Sequence, residues 1–93
     1  MTCLEISLNG KIACVAGVRI GSFGCGIHCG RTADAERFSC NVSVLDEEGR
    51  DKSSPPQMFE IWLEQDLNLN DEISIRIVDR DSTTRPENPK LTS

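Results

Sequence analysis

The chain has no tyrosine, a single tryptophan, a single histidine and three phenylalanines. With so few aromatics, a core has to be assembled mainly from Ile, Leu, Val, Ala and Cys. Long apolar runs are missing too. No window approaches the ~18 apolar residues of a spanning helix. The opening MTCLEISLNG has neither the basic start nor the apolar stretch of a secretory signal. These absences predict a cytoplasmic protein with reduced cysteines and no membrane partner. The odd count of five cysteines also argues against a full disulfide framework. Basic residues are scarce, ten against fifteen acids, for a net charge of −5. Nucleic-acid backbones are bound by a clustered basic face, and anionic membranes by a polybasic one. The sequence supplies neither. A basic protein partner, or plain solubility, suits this charge.

Helical periodicity is also absent; RTADAER, residues 31–37, is long enough for one turn only. What fills the chain is alternation of period two, the mark of half-buried strands. In LEISLNGKIACVAGV, Leu4, Ile6 and Leu8 lead into Asn9-Gly10, a strong hairpin signal because both turn residues require positive φ. Pairing Leu8 with Lys11 sets Ile6 against Ala13 and Leu4 against Val15, with Cys3 and Cys14 on the opposite face. Phe38, Cys40, Val42 and Val44 alternate with Ser39, Asn41 and Ser43. Phe59, Ile61 and Leu63 alternate with Glu60, Trp62 and Glu64, and Ile73, Ile75 and Ile77 with Ser74 and Arg76. Charge, Gly, Ser and paired prolines make 46–57 a loop. At 93 residues the chain is one domain. It reads as an all-β, small antiparallel sandwich or open barrel of five to seven strands over residues 1–80, with 81–93 as a flexible C-terminal tail.

GSFGCGIHCGR, residues 21–31, gathers two cysteines and the histidine among glycines. It is not a phosphate loop. After Gly24-Cys25-Gly26 the third glycine of a dinucleotide fingerprint falls on Cys29, no helix follows, and no Gly-Lys-Ser/Thr is present. Cys25, His28, Cys29 and Cys40 would make a Cys3His zinc set. If the stretch is extended, however, Cys25 and Cys29 stand ~13 Å apart and His28 points to the other face. Alternation favours the strand, with Phe23, Cys25, Ile27 and Cys29 inward as a core row and Gly24, Gly26, His28 and Gly30 outward. Three outward glycines suit close crossing by another group, for which Trp62 is a candidate cover. The same geometry separates His28 from Cys29 and from Cys25, which argues against a Cys–His nucleophile pair. The carboxylates Asp71, Glu72, Asp79 and Asp81 have no EF-hand spacing and read as solvated turn residues.

Trp62 sits in the polar set of its strand, between Glu60 and Glu64. Outward, it is either a partner anchor rimmed by acids or the cover over Gly24 and Gly26. From Asp46 to Glu72 there are nine acids (46, 47, 48, 51, 60, 64, 66, 71 and 72) against Arg50 and Lys52, a negative field able to steer a basic partner.

LNGKIACVAGV, GSFG and LNLNDEISIRIVD together resemble a family of small, functionally uncharacterised bacterial β-rich proteins, whose pattern reads L-N-G, A-G-V, G-x-F-G and a closing V-G-D-E-I-x-I-R-I-V. The resemblance covers about half of the chain. Asn70 stands where that pattern has glycine, and CGIHCGR where it has an aliphatic strand. It implies a fold and transfers no functional residue. The expectation is therefore a non-enzymatic protein-binding module without a cofactor, of the kind that serves as an immunity protein or inhibitor. Its partner-binding face is drawn from Glu60, Trp62, Glu64 and Arg76. A zinc protein using Cys25, His28, Cys29 and Cys40 is the alternative. A subunit of a larger assembly, including a homo-oligomer joined through a sheet edge, is another.

Overall fold

A computed structural model describes residues 1–49, 51 and 58–92; most of the loop expected at 46–57 lies outside them. Seven strands are present: β1 (Thr2–Leu8), β2 (Lys11–Ala16), β3 (Gly21–Arg31), β4 (Glu36–Asp46), β5 (Phe59–Leu67), β6 (Ile73–Asp79) and β7 (Lys90–Thr92). They form two antiparallel sheets, ordered β2-β1-β6 and β3-β4-β5-β7, which do not close into a barrel. This is the small all-β sandwich that the alternation predicts. No helix among the described residues is long and apolar enough to cross a membrane.

The β1–β2 turn forms where Asn9-Gly10 places it, with φ of 52° and 83°. Its ladder starts at Leu8–Lys11 and continues to Ser7–Ile12, then slips. Ala13 is an extra residue, so Ile6 pairs with Cys14 and Leu4 with Ala16 rather than with Ala13 and Val15. A bulge turns the rest of a strand by one residue. It moves Cys14 from the outer face into the core. Cys14 joins Ile6, Ala16, Cys40, Val42, Val44 and Trp62 in the buried cluster between the sheets. Burying a side chain such as Ile6 or Val42 contributes roughly 1.5–3 kcal/mol, so a cluster this small leaves little margin.

A second bulge changes the role of Trp62. β4 and β5 pair regularly from Phe38–Leu67 to Val42–Leu63, and then Ser43 meets Ile61. Trp62 is the inserted residue, and it turns into the core at 8% exposure. Strict alternation would have left it outside with Glu60 and Glu64.

The two faces of β1 are both buried, for different reasons. Inward, Ile6 and Leu4 pack toward the other sheet. Outward, Cys3 lies against Gly17, where a Cβ would stand 2.7 Å from the Cys3 sulfur. Glu5, also outward, is a buried carboxylate. It accepts a hydrogen bond from the Arg80 guanidinium and lies 3.6 Å from that of Arg76.

Arg80, and several of the residues 81–93 set apart as a tail by composition, meet the rest of the domain. Arg80 donates its backbone N–H to the Met1 carbonyl. Thr84 seals the outer edge of β2. Its amide donates to the Val15 carbonyl at 2.9 Å, and its hydroxyl accepts from the Val15 amide at 2.8 Å. Arg85 then reaches Glu60 in the other sheet, and β7 pairs with β5. The chain from Arg80 to Thr92 therefore laces the two sheets together along the β2/β5 side.

Candidate functional site

The opposite side, between β3 and β6, is not laced. Antiparallel partners share a face, so Ile73, Ile75 and Ile77, which pair with Leu8, Ile6 and Leu4, all lie on the inner face as their alternation predicts. Only Ile73 packs against the core. Ile75 is 48% exposed and Ile77 79%, because the four-stranded sheet does not extend over β6. On the facing wall, Phe23 and Cys25 pack against the core, whereas Ile27 is 55% exposed and Cys29 is exposed as well. The inward row expected of β3 is thus covered for only half of its length.

The gap widens into a hollow at each end. Ile27, Phe38, Leu67, Leu69 and Ile73 line an apolar one of about 340 Å³. Leu69 protrudes beside it from a turn held by Asn70 at φ 74°. After glycine, asparagine is among the residues that take positive φ most readily. At the other end Met1, Thr2, Val18, Arg19, Phe23 and Asp81 border a more polar hollow. Strands β3 and β6 flank the gap, and each is the last strand of its sheet among the described residues.

The residues singled out as a partner face fall in two separate places. Trp62, being buried, offers a partner almost no surface, and its Nε1–H donates to Glu60 Oε1 at 3.0 Å. Arg85 holds the same carboxylate through two hydrogen bonds, at 2.9 and 2.7 Å. The Arg85 guanidinium, helped by the indole N–H, keeps the Glu60 carboxyl below its ordinary pKa. Glu64 is exposed, with Lys90 Nζ 3.8 Å away. Arg76 stands on the other sheet, at Glu5. Glu60 and Trp62 do border a cavity of about 410 Å³ with Asp46, Glu48, Arg19 and Arg85. Its charges are mixed rather than acidic. Trp62 does not cover the β3 glycines either. Nothing lies within 4 Å of a Cβ placed on Gly24, and one on Gly26 would meet only the Asn41 side chain, at 3.2 Å.

The glycine-cysteine stretch is a strand along its whole length, paired residue by residue with β4. Cys25 and Cys40 are diagonal neighbours with sulfurs 3.7 Å apart. His28 faces the other way and Cys29 lies a further ~13 Å along the strand, so two thiols face each other where a structural zinc site has four ligands. No group of three or more metal-ligating side chains converges among the described residues. Burial first, and then the neighbouring Cys40 thiol, push the Cys25 pKa up to about 11. Its reactive thiolate is therefore rare near neutral pH. Iodoacetamide at mildly alkaline pH should add one label to the folded protein, at Cys29, and label all five cysteines in urea. Peptide mass mapping reads the site, and rapid labelling of Cys40 in the folded protein would contradict the packing described.

Sequence reasoning found the strands that border the gap. It missed that the gap is uncovered, because alternation names the inward face without counting how many strands lie opposite. One signal was available: three isoleucines on β6 need a facing partner strand, and a chain with so small an apolar stock has few to spare. No protein-family model, curated protein sequence or solved structure matches this chain.

Proposed function

We propose that this chain is a protein-binding module without catalytic chemistry of its own, and that it works by sheet augmentation along the β3/β6 side. One observation carries this reading. Ile27, Leu69, Ile75 and Ile77 are exposed beside two strand edges that no other strand of the described chain occupies. Apolar side chains exposed together mark interaction surfaces, and an open edge supplies the main-chain hydrogen bonds that hold an added strand. The net charge of −5 suits a partner of basic character. An inhibitor or an immunity protein is one form that such a module takes.

Interaction with soluble proteins of the source organism, compared between the wild type and Ile77→Asp, tests the site. Ile77 makes few contacts in the folded chain, so the variant should keep the wild-type melting temperature and lose the partner. A partner that still binds Ile77→Asp and Ile27→Asp, but not Glu64→Lys, would move the site to the acidic strand β5 and end the augmentation reading.

A further inference from the structure

The open edge of β6 is self-complementary, and we infer that a second copy of this chain pairs with it across a two-fold axis centred on Ile75. This inference rests on the sheet-augmentation reading above, and it takes a copy of the same −5 charge, rather than a basic protein, as the partner.

The free hydrogen-bonding groups can be identified. Asn9 donates to the Glu72 carbonyl, and Arg80 donates to the Met1 carbonyl. These bonds fix the phase of the β1–β6 ladder, in which bonded and non-bonded pairs alternate. Even-numbered residues of β6 turn their N–H and C=O toward β1. Those of Ile73, Ile75 and Ile77 therefore point outward, to the edge. A strand pairing with its own copy keeps inward residues opposite inward residues when the axis passes through a residue. Three centres bring a useful length of β6 together. An axis at Arg76 sets the Arg76 side chains against each other, and directly opposed like charges destabilise a sheet. An axis at Ile77 sets Asp79 against Ile75. An axis at Ile75 pairs Ile75 with Ile75, Ile73 with Ile77 and Ser74 with Arg76. All the outward-pointing main-chain groups of the three isoleucines are then used, and every inward pair is apolar.

The packing around the axis also favours this pairing. A two-fold axis perpendicular to the shared sheet leaves both inner faces on the same side. Each copy's β3 wall, with Ile27 and Phe23, then lies toward the strip that Ile75 and Ile77 leave bare. The other edges suit pairing less. Thr84 occupies the β2 edge, and β7 is only three residues long. Strand β3 carries Gly24, Gly26 and Gly30, and glycine-rich strands specify register weakly. Edges that stay alone are usually protected by proline, lysine or a bulge. Strand β6 has no proline, lysine or bulge, and the one charge between its isoleucines, Arg76, lies on the outer face beside Glu5.

Sedimentation equilibrium of the reduced protein from micromolar to millimolar concentration tests the inference. The wild type should dimerise. Ile75→Lys, which opposes a charge to itself at the axis, should weaken the dimer by about tenfold or more. Should the first variant fold poorly, Ile77→Lys sets a charge against the apolar Ile73 of the second copy and should also weaken the dimer. Ser74→Asp gains an Arg76 partner on each side of the axis and should tighten the dimer by about threefold. Each copy carries a net charge of −5, so added salt should also tighten the dimer. A dimer indifferent to Ile75→Lys, or unaffected by Ser74→Asp, overturns this interface. A wild type that stays monomeric but binds a different protein, lost on Ile77→Asp, overturns the self-pairing and leaves the protein-binding reading standing. Absence of both self-association and any Ile77-dependent partner overturns both.

Discussion

Gly21→Ala is expected to cost about 3 kcal/mol or more, enough to threaten folding of so small a domain. Gly21 begins β3 where the chain passes from one sheet to the other, and its φ is 135°, a conformation that L side chains rarely adopt. A Cβ there would stand 2.0 Å from the Leu45 carbonyl oxygen and 3.1 Å from the Glu47 nitrogen. Both obstacles are backbone. They sit beside the bond that Glu47 N–H donates to the Ile20 carbonyl, so neither can give way without opening the β3–β4 ladder. Gly24→Ala is the control. It adds a methyl to open space on the same strand and should change stability by no more than about 1 kcal/mol, in the stabilising direction. Urea unfolding of the two variants decides the matter. Equal midpoints would mean that the approach at Gly21 is not a constraint.

The second large effect concerns Glu5. Its carboxylate is buried, whereas Arg80 and Arg76 keep 43% and 70% of their side chains in solvent. The two ends of this ion pair are therefore unequal. Arg80→Met strands a buried carboxylate with only Arg76 beside it; solvent at both arginines lowers the about 3–5 kcal/mol of a fully buried pair to about 2 kcal/mol. Glu5→Met leaves two arginines free to turn to water and should cost less. Combining Glu5→Met with Arg80→Met removes the buried charge altogether and should recover part of what Arg80→Met loses. Additive losses in this double-mutant cycle would show that the pair does not act as a unit.

The limits of reading this fold from sequence lie in the bulges. Fold class, the Asn9-Gly10 turn and the extended run from Gly21 to Arg31 follow from local rules of alternation and turn chemistry. Ala13 and Trp62 do not, because a bulge is a property of two paired strands and leaves no mark on one. At Ala13 the slip moves Cys14 from the outer face to the core. At Trp62 it moves a residue that reads as an acid-rimmed anchor into the interior. Glu60 shows a related limit: its partner, Arg85, is remote in sequence and lies in a proline-containing stretch with almost no apolar residues. The β3/β6 surface is legible as isoleucine alternation, but its exposure depends on sheet widths that local patterns do not encode.

The lacing of one side by Thr84, Arg85 and β7 means that stability is not evenly shared across the molecule. Along β2 and β5, local opening has to break contacts between segments distant in sequence, including the Thr84 pair with Val15. Along β3 and β6, opening breaks a single ladder and exposes side chains already in contact with water. Amide protons should therefore exchange on a gradient, slowest in β1 and β4, which are paired on both sides, and fastest along the outer edges of β3 and β6. The monomer's most labile edges are those that a bound strand would protect, so occupancy of the gap would be readable as slowed exchange confined to one side of the sandwich.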